Sequence, residues 1–244
     1  MVIRVFQGYD EMCSAAARLI LARVRQKPGS LICLPSGDTP TGILRELVAA
    51  SREGRADFGQ CRFVGLDEWT GLNGKDAGSC RHYLDDSFFF PLRILPEQIA
   101  FFDGSAVDLA DECERINRYI GQYGPIDVAM VGVGVNGHVG LNEPGTDRGL
   151  YAHVSELQDQ TKQVAEKYFS EKVTLTNGIT LGPRHLLESG TLLMIASGSK
   201  KAAVMAKALE QPFTTDCPAG LIREHPDGHV FLDFDAAAEL LGNY

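Results

Sequence analysis

The chain has 244 residues, of which 44% are hydrophobic and 23% charged, a composition typical of a globular protein with its own core. Acidic side chains outnumber basic ones by 32 to 23, and the net charge of −9 argues against a nucleic-acid partner. No apolar run reaches the ~20 residues that a membrane-spanning helix needs, which argues against a membrane partner.

The start of the chain and its cysteines favour a cytoplasmic protein. Residues 1–12 read MVIRVFQGYDEM and lack the basic start of a signal peptide. Six scattered cysteines form no C-x-x-C pair, as expected for reduced thiols in a core. No stretch rich in Pro, Gly or Ser indicates a linker, so we expect one domain over residues 1–244.

Strands alternate with helices along the chain. The first half predicts a strand at 2–6, a helix capped by Asp10 and running to Arg25, a strand at 30–37, a helix at 39–54, a strand at 61–69, a helical stretch from Ser79 to Phe90 and a strand at 99–103. The second half predicts a helix at 107–124, strands at 126–134 and 191–198, a helix at 199–210, a strand at 229–234 and a short last helix.

This alternation predicts an α/β fold, with an open, mostly parallel, Rossmann-like sheet covered by helices on both faces, because several strands are apolar on both sides. In such sheets the ligand lies beyond the carboxyl ends of the strands. Polar or glycine-rich segments lie at the carboxyl ends of four of the strands, at 36–39, 67–69, 136–138 and 197–201. We therefore expect these four segments to meet in one site.

The glycine-rich segment VGVGVNGHVGLNEPG (131–145) admits two interpretations. Its glycines spell G-x-G-x-x-G, but a dinucleotide fingerprint needs a helix to begin there, and Gly140, Pro144 and Gly145 disfavour one. The alternative is that the glycines bring the backbone close to a ligand and present His138 and Glu143 for proton transfer. The position at the ligand-binding edge favours this second interpretation.

Residues 36–39 are the first of two segments that have the geometry of an anion site. Ser36, Gly37, Asp38 and Thr39 join a strand to a helix start, where free backbone N–H groups attract phosphate. An ordinary capped turn would look the same, and Asp38 suits an anion only if its side chain turns away and caps the helix.

Three lysines could complete the anion site. Lys200 and Lys201 lie in the first turn of a later helix, where cations oppose the helix dipole unless an anion binds nearby. Solvated surface lysines are the alternative. Lys167 is a third candidate, in a segment whose structure the pattern does not reveal.

The end of the strand at 61–69 carries adjacent acids, Asp67 and Glu68. On an extended segment they point to opposite faces, so only one can enter the site, as a candidate general base. Solvated acids at a strand end are the alternative.

Together these motifs resemble the glucosamine/galactosamine-6-phosphate isomerase (deaminase) family. The resemblance runs in order along nearly the whole chain, through LPSGDTPTGILREL, FVGLDEW, GVGVNGHVGLNEPGT, NGITLG and SGSKKA. The related 6-phosphogluconolactonases share the loop and the Gly-His pair, but carry DER and a GHTASLFPG-like continuation where this chain has DEW and NEPG. The chain therefore looks like the sugar isomerase branch, and the implied fold is of the sugar-phosphate isomerase type.

The resemblance also implies roles for the catalytic residues. Asp67 resembles the base that moves a proton between C2 and C1 of the open-chain sugar, and His138 the residue that assists ring opening. Glu143 and Asn136 resemble the residues that orient this histidine, and family members have either Asp or Asn at the position of Asn136.

The implied phosphate site differs from the family pattern at two positions. Lys201 matches the phosphate-binding lysine. Lys167 falls where many members have an arginine, and so lacks the bidentate fork. Asp38 replaces a residue that is usually small.

The implied reaction needs no cofactor and no metal. A 2-amino-2-deoxyhexose 6-phosphate becomes a ketose 6-phosphate and ammonia, giving fructose 6-phosphate from glucosamine or tagatose 6-phosphate from galactosamine. LDEW and NGITLG slightly favour the galactosamine type. The alternatives are a 6-phosphogluconolactonase-like hydrolase and a non-catalytic sugar-phosphate sensor, and an oligomer is possible.

Overall fold

The computed structural model describes residues 1–169 and 173–242 of the chain. Their strands are β1 (Val2–Phe6), β2 (Leu31–Leu34), β3 (Arg62–Gly65), β4 (Asp67–Trp69), β5 (Ile99–Ala100), β6 (Val128–Gly132), β7 (His153–Glu156), β8 (Asn177–Thr180), β9 (Thr191–Ala196) and β10 (Gly228–Asp233).

The α-helices alternate with these strands over most of the chain. They are α1 (Tyr9–Gln26), α2 (Asp38–Arg52), α3 (Cys80–Leu84), α4 (Phe90–Leu92), α5 (Leu109–Tyr123), α6 (Asp159–Ala165), α7 (Pro183–Leu187) and α8 (Ala202–Glu210). Among the residues that the structure describes, no helix is both long and apolar enough to cross a membrane.

Seven strands form one parallel sheet in the order β1-β10-β9-β6-β2-β3-β5. Alternate residues of β2 show that both faces are covered. Ile32 and Leu34 belong to a hydrophobic cluster with α1 and α2, while Leu31 and Cys33 belong to a second cluster with α5 and α8. The predicted α/β fold, an open parallel sheet with helices on both faces, is confirmed.

A second, antiparallel sheet of β4, β8 and β7 adjoins the first and was not predicted. The single strand predicted at 61–69 is wrong at its end, because β3 stops at Gly65 and β4 begins at Asp67. Between them the Leu66 carbonyl accepts a hydrogen bond from the Leu181 N–H at 2.8 Å. The chain therefore passes from one sheet to the other within one residue, at the edge where the site lies.

The start of α1 differs from the prediction. Gly8 is the N-cap and makes no side-chain cap, while Asp10 lies inside the first turn. The Glu11 carboxylate instead accepts a hydrogen bond from the Gln7 N–H at 3.0 Å. An acid in the first turn still interacts favourably with the helix dipole, so Asp10 marks the helix start without capping it.

The predicted helical stretch from Ser79 to Phe90 is helical but irregular. Ser79 caps α3, its Oγ accepting from the His82 N–H at 3.2 Å. A π-helical turn at Asp85–Phe89 then leads into α4. The π turn carries the buried rings of Phe88 and Phe89 into the core.

The short last helix predicted after 229–234 is wrong, because residues 234–239 form consecutive turns. The Asp233 carboxylate accepts from the Ala236 N–H at 2.8 Å and from the Gly198 N–H at 3.0 Å. Its carboxylate therefore ties the end of β10 to the turn that follows β9. The predicted helix at 199–210 begins with a 3-10 turn, Ser199–Lys201, before α8.

Candidate active site

A cavity of about 1000 Å³ lies at the carboxyl ends of β2, β6 and β9. Its wall includes the predicted segments 36–39 and 197–201 together with Asp67, His138 and Lys167. These residues come from five separate parts of the chain. The topology therefore brings the candidate base, the candidate histidine and the candidate phosphate groups around one space.

Asp67 reaches the cavity from the first position of β4, where its backbone pairs with Thr180 of β8. Its side chain is nearly buried. Burial, and to a smaller extent the charge on Glu68, raises the pKa of Asp67 from 3.8 to about 7, while the Cys80 thiol acts in the opposite direction. A carboxylate with a pKa near neutrality can take up a proton and return it.

Glu68 points away from the cavity, as alternation along an extended segment requires. Its carboxylate accepts hydrogen bonds from Ser79 Oγ at 2.6 Å and from the backbone N–H groups of Trp69, Cys80 and Arg81 at 2.9–3.0 Å. Glu68 thereby fixes the start of α3 against β4. This acid holds the local backbone in place, and Asp67 is the acid that faces the cavity.

The Nδ1 atom of His138 faces two neighbouring side chains of the protein, those of Thr161 and Glu143. Thr161 Oγ1 lies 3.1 Å from Nδ1, and Glu143 Oε2 lies 3.7 Å away. Burial alone would raise the pKa of Glu143, but the hydrogen bonds of His138, Thr161 and Asn136 leave it lowered. Glu143 is therefore an anion beside the imidazole.

Asn136 and Glu143 lie outside the cavity wall, behind His138. The Asn136 amide donates to Glu143 Oε2 at 2.7 Å and to Gln158 Oε1 at 3.0 Å, while its Oδ1 accepts from the His138 N–H at 3.2 Å. The Gln158 N–H donates to Glu143 Oε1 at 3.2 Å. Both predicted orienting residues are thus connected to His138 in one hydrogen-bond network.

The glycines of this segment bring the backbone close to His138, and no helix begins there. Gly137 has φ +91°, in the left-handed region that favours glycine. A Cβ on Gly134 would lie 2.3 Å from His138 Cε1, which is closer than atoms can approach. The geometry matches the prediction that the glycines present a histidine, and it lacks the helix of a dinucleotide fingerprint.

The loop at 36–39 turns at Gly37, which has φ +110° and is the N-cap of α2. The Tyr9 hydroxyl donates to the Thr39 carbonyl at 3.0 Å and accepts from the Gly42 N–H at 2.8 Å, which steadies this turn. Asp38 makes no cap and does not turn away. The sequence suggested that Asp38 would suit an anion site only if its side chain turned away and capped α2. The structure shows the opposite arrangement, because the carboxylate faces Lys167.

Lys167 and Lys201 approach the cavity from different elements. Lys201 ends the 3-10 turn before α8 and donates to the Val133 carbonyl at 2.6 Å. Burial lowers the pKa of Lys201 to about 8, the charge on Lys167 lowers it too, and Asp38 acts in the opposite direction. An anion bound between them would offset both unfavourable effects.

Sequence reasoning missed several residues of the site. Thr161 and Gln158 hold the His138 network, and Tyr168 and Cys80 line the cavity. Residues 158–168 carry no clear apolar periodicity, so their position over the cavity had no sequence signal. Within residues 1–169 and 173–242, no three His, Cys, Asp or Glu side chains are grouped as a metal site.

Comparisons with known proteins agree with this geometry. The profile of the family described as glucosamine-6-phosphate isomerases/6-phosphogluconolactonase matches residues 7–232. The chain is 37% identical to the glucosamine-6-phosphate deaminase of Geobacillus sp. (strain WCH70), covering 94% of this chain and 92% of that protein. It is 33% identical to glucosamine-6-phosphate deaminase 1 of Bacillus subtilis (strain 168), covering 98% and 99%.

Two solved structures are also similar to this chain. A monomeric glucosamine-6-phosphate deaminase superposes with a TM-score of 0.95 at 33% identity, covering 98% of this chain and 100% of that one. The 6-phosphogluconolactonase from Thermotoga maritima shares the fold, with a TM-score of 0.75 at 19% identity over 95% and 99%. The prediction of an enzyme is confirmed, and the chain belongs to the family of glucosamine-6-phosphate isomerases and 6-phosphogluconolactonases.

Proposed function

We propose that this chain is an amino-sugar-phosphate deaminase that converts glucosamine 6-phosphate into fructose 6-phosphate and ammonia. The main support is the meeting of Asp67, His138 and two lysines around one cavity. Similar proteins over nearly the whole length are named glucosamine-6-phosphate deaminase. That naming favours glucosamine over the galactosamine type suggested by the sequence details, and galactosamine 6-phosphate is the substrate to compare.

His138 is suited to open the sugar ring. The carboxylate of Glu143 beside Nδ1 favours a proton on that nitrogen, which leaves Nε2 free to accept one. In the proposed step the imidazole takes the proton of the C1 hydroxyl and delivers it to the ring oxygen as the C1–O5 bond breaks. The open-chain aldehyde results, with no net change in the histidine.

Asp67 is suited to move the carbon-bound proton. Its carboxylate takes the proton from C2, the electron pair forms the C1–C2 double bond, and the C1 carbonyl oxygen takes a proton from water. The resulting enolamine takes the carbon-bound proton back from Asp67 at C1, and the nitrogen returns one proton to water, which leaves an imine at C2. Water adds to the imine and ammonia leaves. A pKa of about 7 suits both directions of this transfer.

The phosphate binds far from the reacting carbons and serves to orient the sugar. Lys201, Lys167 and the N–H groups at the start of α2 are proposed to hold it. An acidic protein needs such a local cationic cluster to bind a phosphorylated sugar. The sugar carbons then lie toward Asp67 and His138.

The two alternatives lack comparable support. A lactonase needs a base for water but none for a carbon-bound proton, and the lactonase structures compared share only the fold with this chain. A sensor would need no protonatable pair, yet Asp67 and His138 both line the cavity. The deaminase remains the function that uses every group in the site.

One assay tests the proposal. Ammonia release is measured from glucosamine 6-phosphate and galactosamine 6-phosphate side by side, with hydrolysis of 6-phosphogluconolactone as a third reaction. We expect ammonia from glucosamine 6-phosphate, and Asp67→Asn to lower turnover by 10²–10⁴-fold or more, the usual loss of a general base. Faster lactone hydrolysis, or a loss below tenfold in the variant, contradicts the proposal.

A further inference from the structure

Asp38 places a carboxylate inside the site that the proposed function assigns to phosphate. It is the first residue of α2 and lines the cavity with Lys167, to which it is paired. The two residues are 129 positions apart in the chain. Their side chains are 72% and 49% exposed, so neither packing nor burial forces them together.

The charge on Asp38 also acts on Lys201. It opposes the lowering of the Lys201 pKa, whereas the charge on Lys167 adds to that lowering. Burial raises the pKa of Tyr168, and the Asp38 carboxylate raises it further; the Tyr168 hydroxyl lies close to the Gly37 turn. Asp38, Lys167 and Lys201 therefore act within one small region, and any phosphate held by the two lysines lies close to the Asp38 carboxylate.

The stability of α2 explains in part why an acid suits position 38. It does not explain why that acid is paired with Lys167. An acid in the first turn of a helix interacts favourably with the helix dipole. An exposed ion pair between flexible side chains contributes little to folding. The Asp38 carboxylate does, however, neutralise one of two lysines that would otherwise repel each other.

We propose that Asp38 is a specificity-determining residue that competes with the ligand's phosphate for Lys167. On binding, the Lys167 ammonium exchanges a carboxylate for phosphate oxygens, and Asp38 is left facing a phosphate anion. The phosphate alone therefore binds weakly, and affinity depends on contacts with the sugar. This inference rests on the proposed function in one respect, which is that the ligand carries a phosphate.

Titration calorimetry with inorganic phosphate tests the competition without requiring turnover. The proteins are the wild type, Asp38→Asn, Asp38→Ser, and Asp111→Asn as the control. Asp111 is an exposed acid in the first turn of α5, away from the cavity, so its variant loses the same dipole interaction. Circular dichroism confirms that each variant is folded.

We expect both Asp38 variants to bind phosphate roughly 5–20-fold more tightly, the size expected for one charge acting on a dianion in a water-exposed site. The gain should shrink at high ionic strength, and Asp111→Asn should bind as the wild type does. In a Lys167→Met background the gain from Asp38→Asn should be smaller, because no shared lysine remains to be released.

Three results overturn the inference. Unchanged or weaker binding in both Asp38 variants shows that the carboxylate does not oppose phosphate. An equal gain with and without Lys167 shows general repulsion in place of competition. If neither the wild type nor either Asp38 variant binds phosphate, the proposed phosphate site itself is wrong and the inference falls with it. When the wild type binds phosphate, either of the first two results removes this inference alone.

Discussion

Asp67 combines burial with a charge that the proposed reaction requires. The fold disfavours its ionised form, since burial raises its pKa to about 7. The same carboxylate must be ionised to take a proton from carbon. Reactivity at this residue is therefore obtained at the expense of stability, a conflict that is common at functional sites.

The conflict should be visible in the pH dependence of the thermal stability of Asp67→Asn. The folded pKa of Asp67 lies above its unfolded value of 3.8, so the stabilising effect of its proton is complete below pH 3.8 and is lost as the pH rises through about 7. The variant keeps a neutral side chain, and thermal melts should show it more stable than the wild type at pH 8 but not at pH 4. Asp111→Asn, which changes an exposed acid, should show no such trend. Equal melting temperatures at pH 8 would contradict the raised pKa.

His138→Gln should slow the closed-ring substrate more than an open-chain one. The proposed role of the imidazole ends once the ring has opened, and glutamine cannot cycle a proton. Turnover is compared on glucosamine 6-phosphate and on an analogue lacking the hydroxyls that close the ring. Equal slowing of both substrates would assign His138 to later chemistry or to structure.

The role of Lys201 is best tested by the pH profile of the Lys201→Arg variant. Its pKa of about 8 predicts that kcat/KM declines as the pH rises above 8 and the ammonium loses its charge. Lys201→Arg should extend the alkaline limb, because a guanidinium stays charged. Lys201→Ala should lower kcat/KM by roughly 10–150-fold, from a charge-assisted contact of about 1.5–3 kcal/mol.

The neighbouring Lys200 provides the control for this experiment. It lies in the same turn and is exposed, so Lys200→Ala should lose much less activity. An undiminished preference of Lys201→Ala for phosphorylated over unphosphorylated glucosamine would remove Lys201 from the phosphate site.

At the level of elements, the parallel sheet made the site largely predictable. Strands that run in one direction end at one edge, so polar segments following β2, β6 and β9 had to lie near one another. This reasoning placed His138 and Lys201 at that edge, and both side chains line the cavity there. The helix starts of α2 and α8 followed from glycine turns that precede apolar periodicity.

The second sheet escaped prediction for a physical reason. Residues 63–66 are apolar and lead directly into Asp67, and periodicity contains no sign that the chain changes sheets at Leu66. β7 and β8 are short and pair over long sequence separations. The Thr161 contact with His138 spans 23 residues and depends on the position of α6, which no local pattern sets.

The segment after β6 offers a test of how its backbone presents His138. Gly134→Ala adds a Cβ that would lie 2.3 Å from the imidazole, so the ring must leave its contact with Thr161. We expect activity to fall strongly while the melting temperature changes little, since no left-handed φ is involved at this position. Activity and thermal melts are measured on both this variant and Gly132→Ala.

Gly132→Ala is the matched comparison, because its Cβ meets no atom within 4 Å. It changes the same stretch of backbone and should lose far less activity. Similar losses in the two variants would show that the segment is sensitive to any methyl group, and that crowding of His138 is not the cause.

At the scale of the whole molecule, the two sheets share one core. Ile179 lies in the antiparallel sheet and Leu66 and Leu181 border it, yet all three belong to the same buried cluster as Val64 and Val131 of the parallel sheet. Only Leu66 separates β3 from β4 in the chain. A boundary between independent domains would have to divide this cluster, so we propose that residues 1–244 fold as one domain.

Denaturant unfolding followed by two probes tests this proposal. Trp69 is the only tryptophan and lies in β4, so its fluorescence reports on the antiparallel sheet. Far-ultraviolet circular dichroism is dominated by the helices, and the longest of them, α1, α2 and α5, pack on the parallel sheet. Because one cluster joins the two sheets, we expect both probes to give one transition with the same midpoint and slope. A fluorescence transition that precedes the loss of helix would mean that β4, β8 and β7 unfold separately, and Asp67 would then belong to a less stable part of the molecule than Lys201.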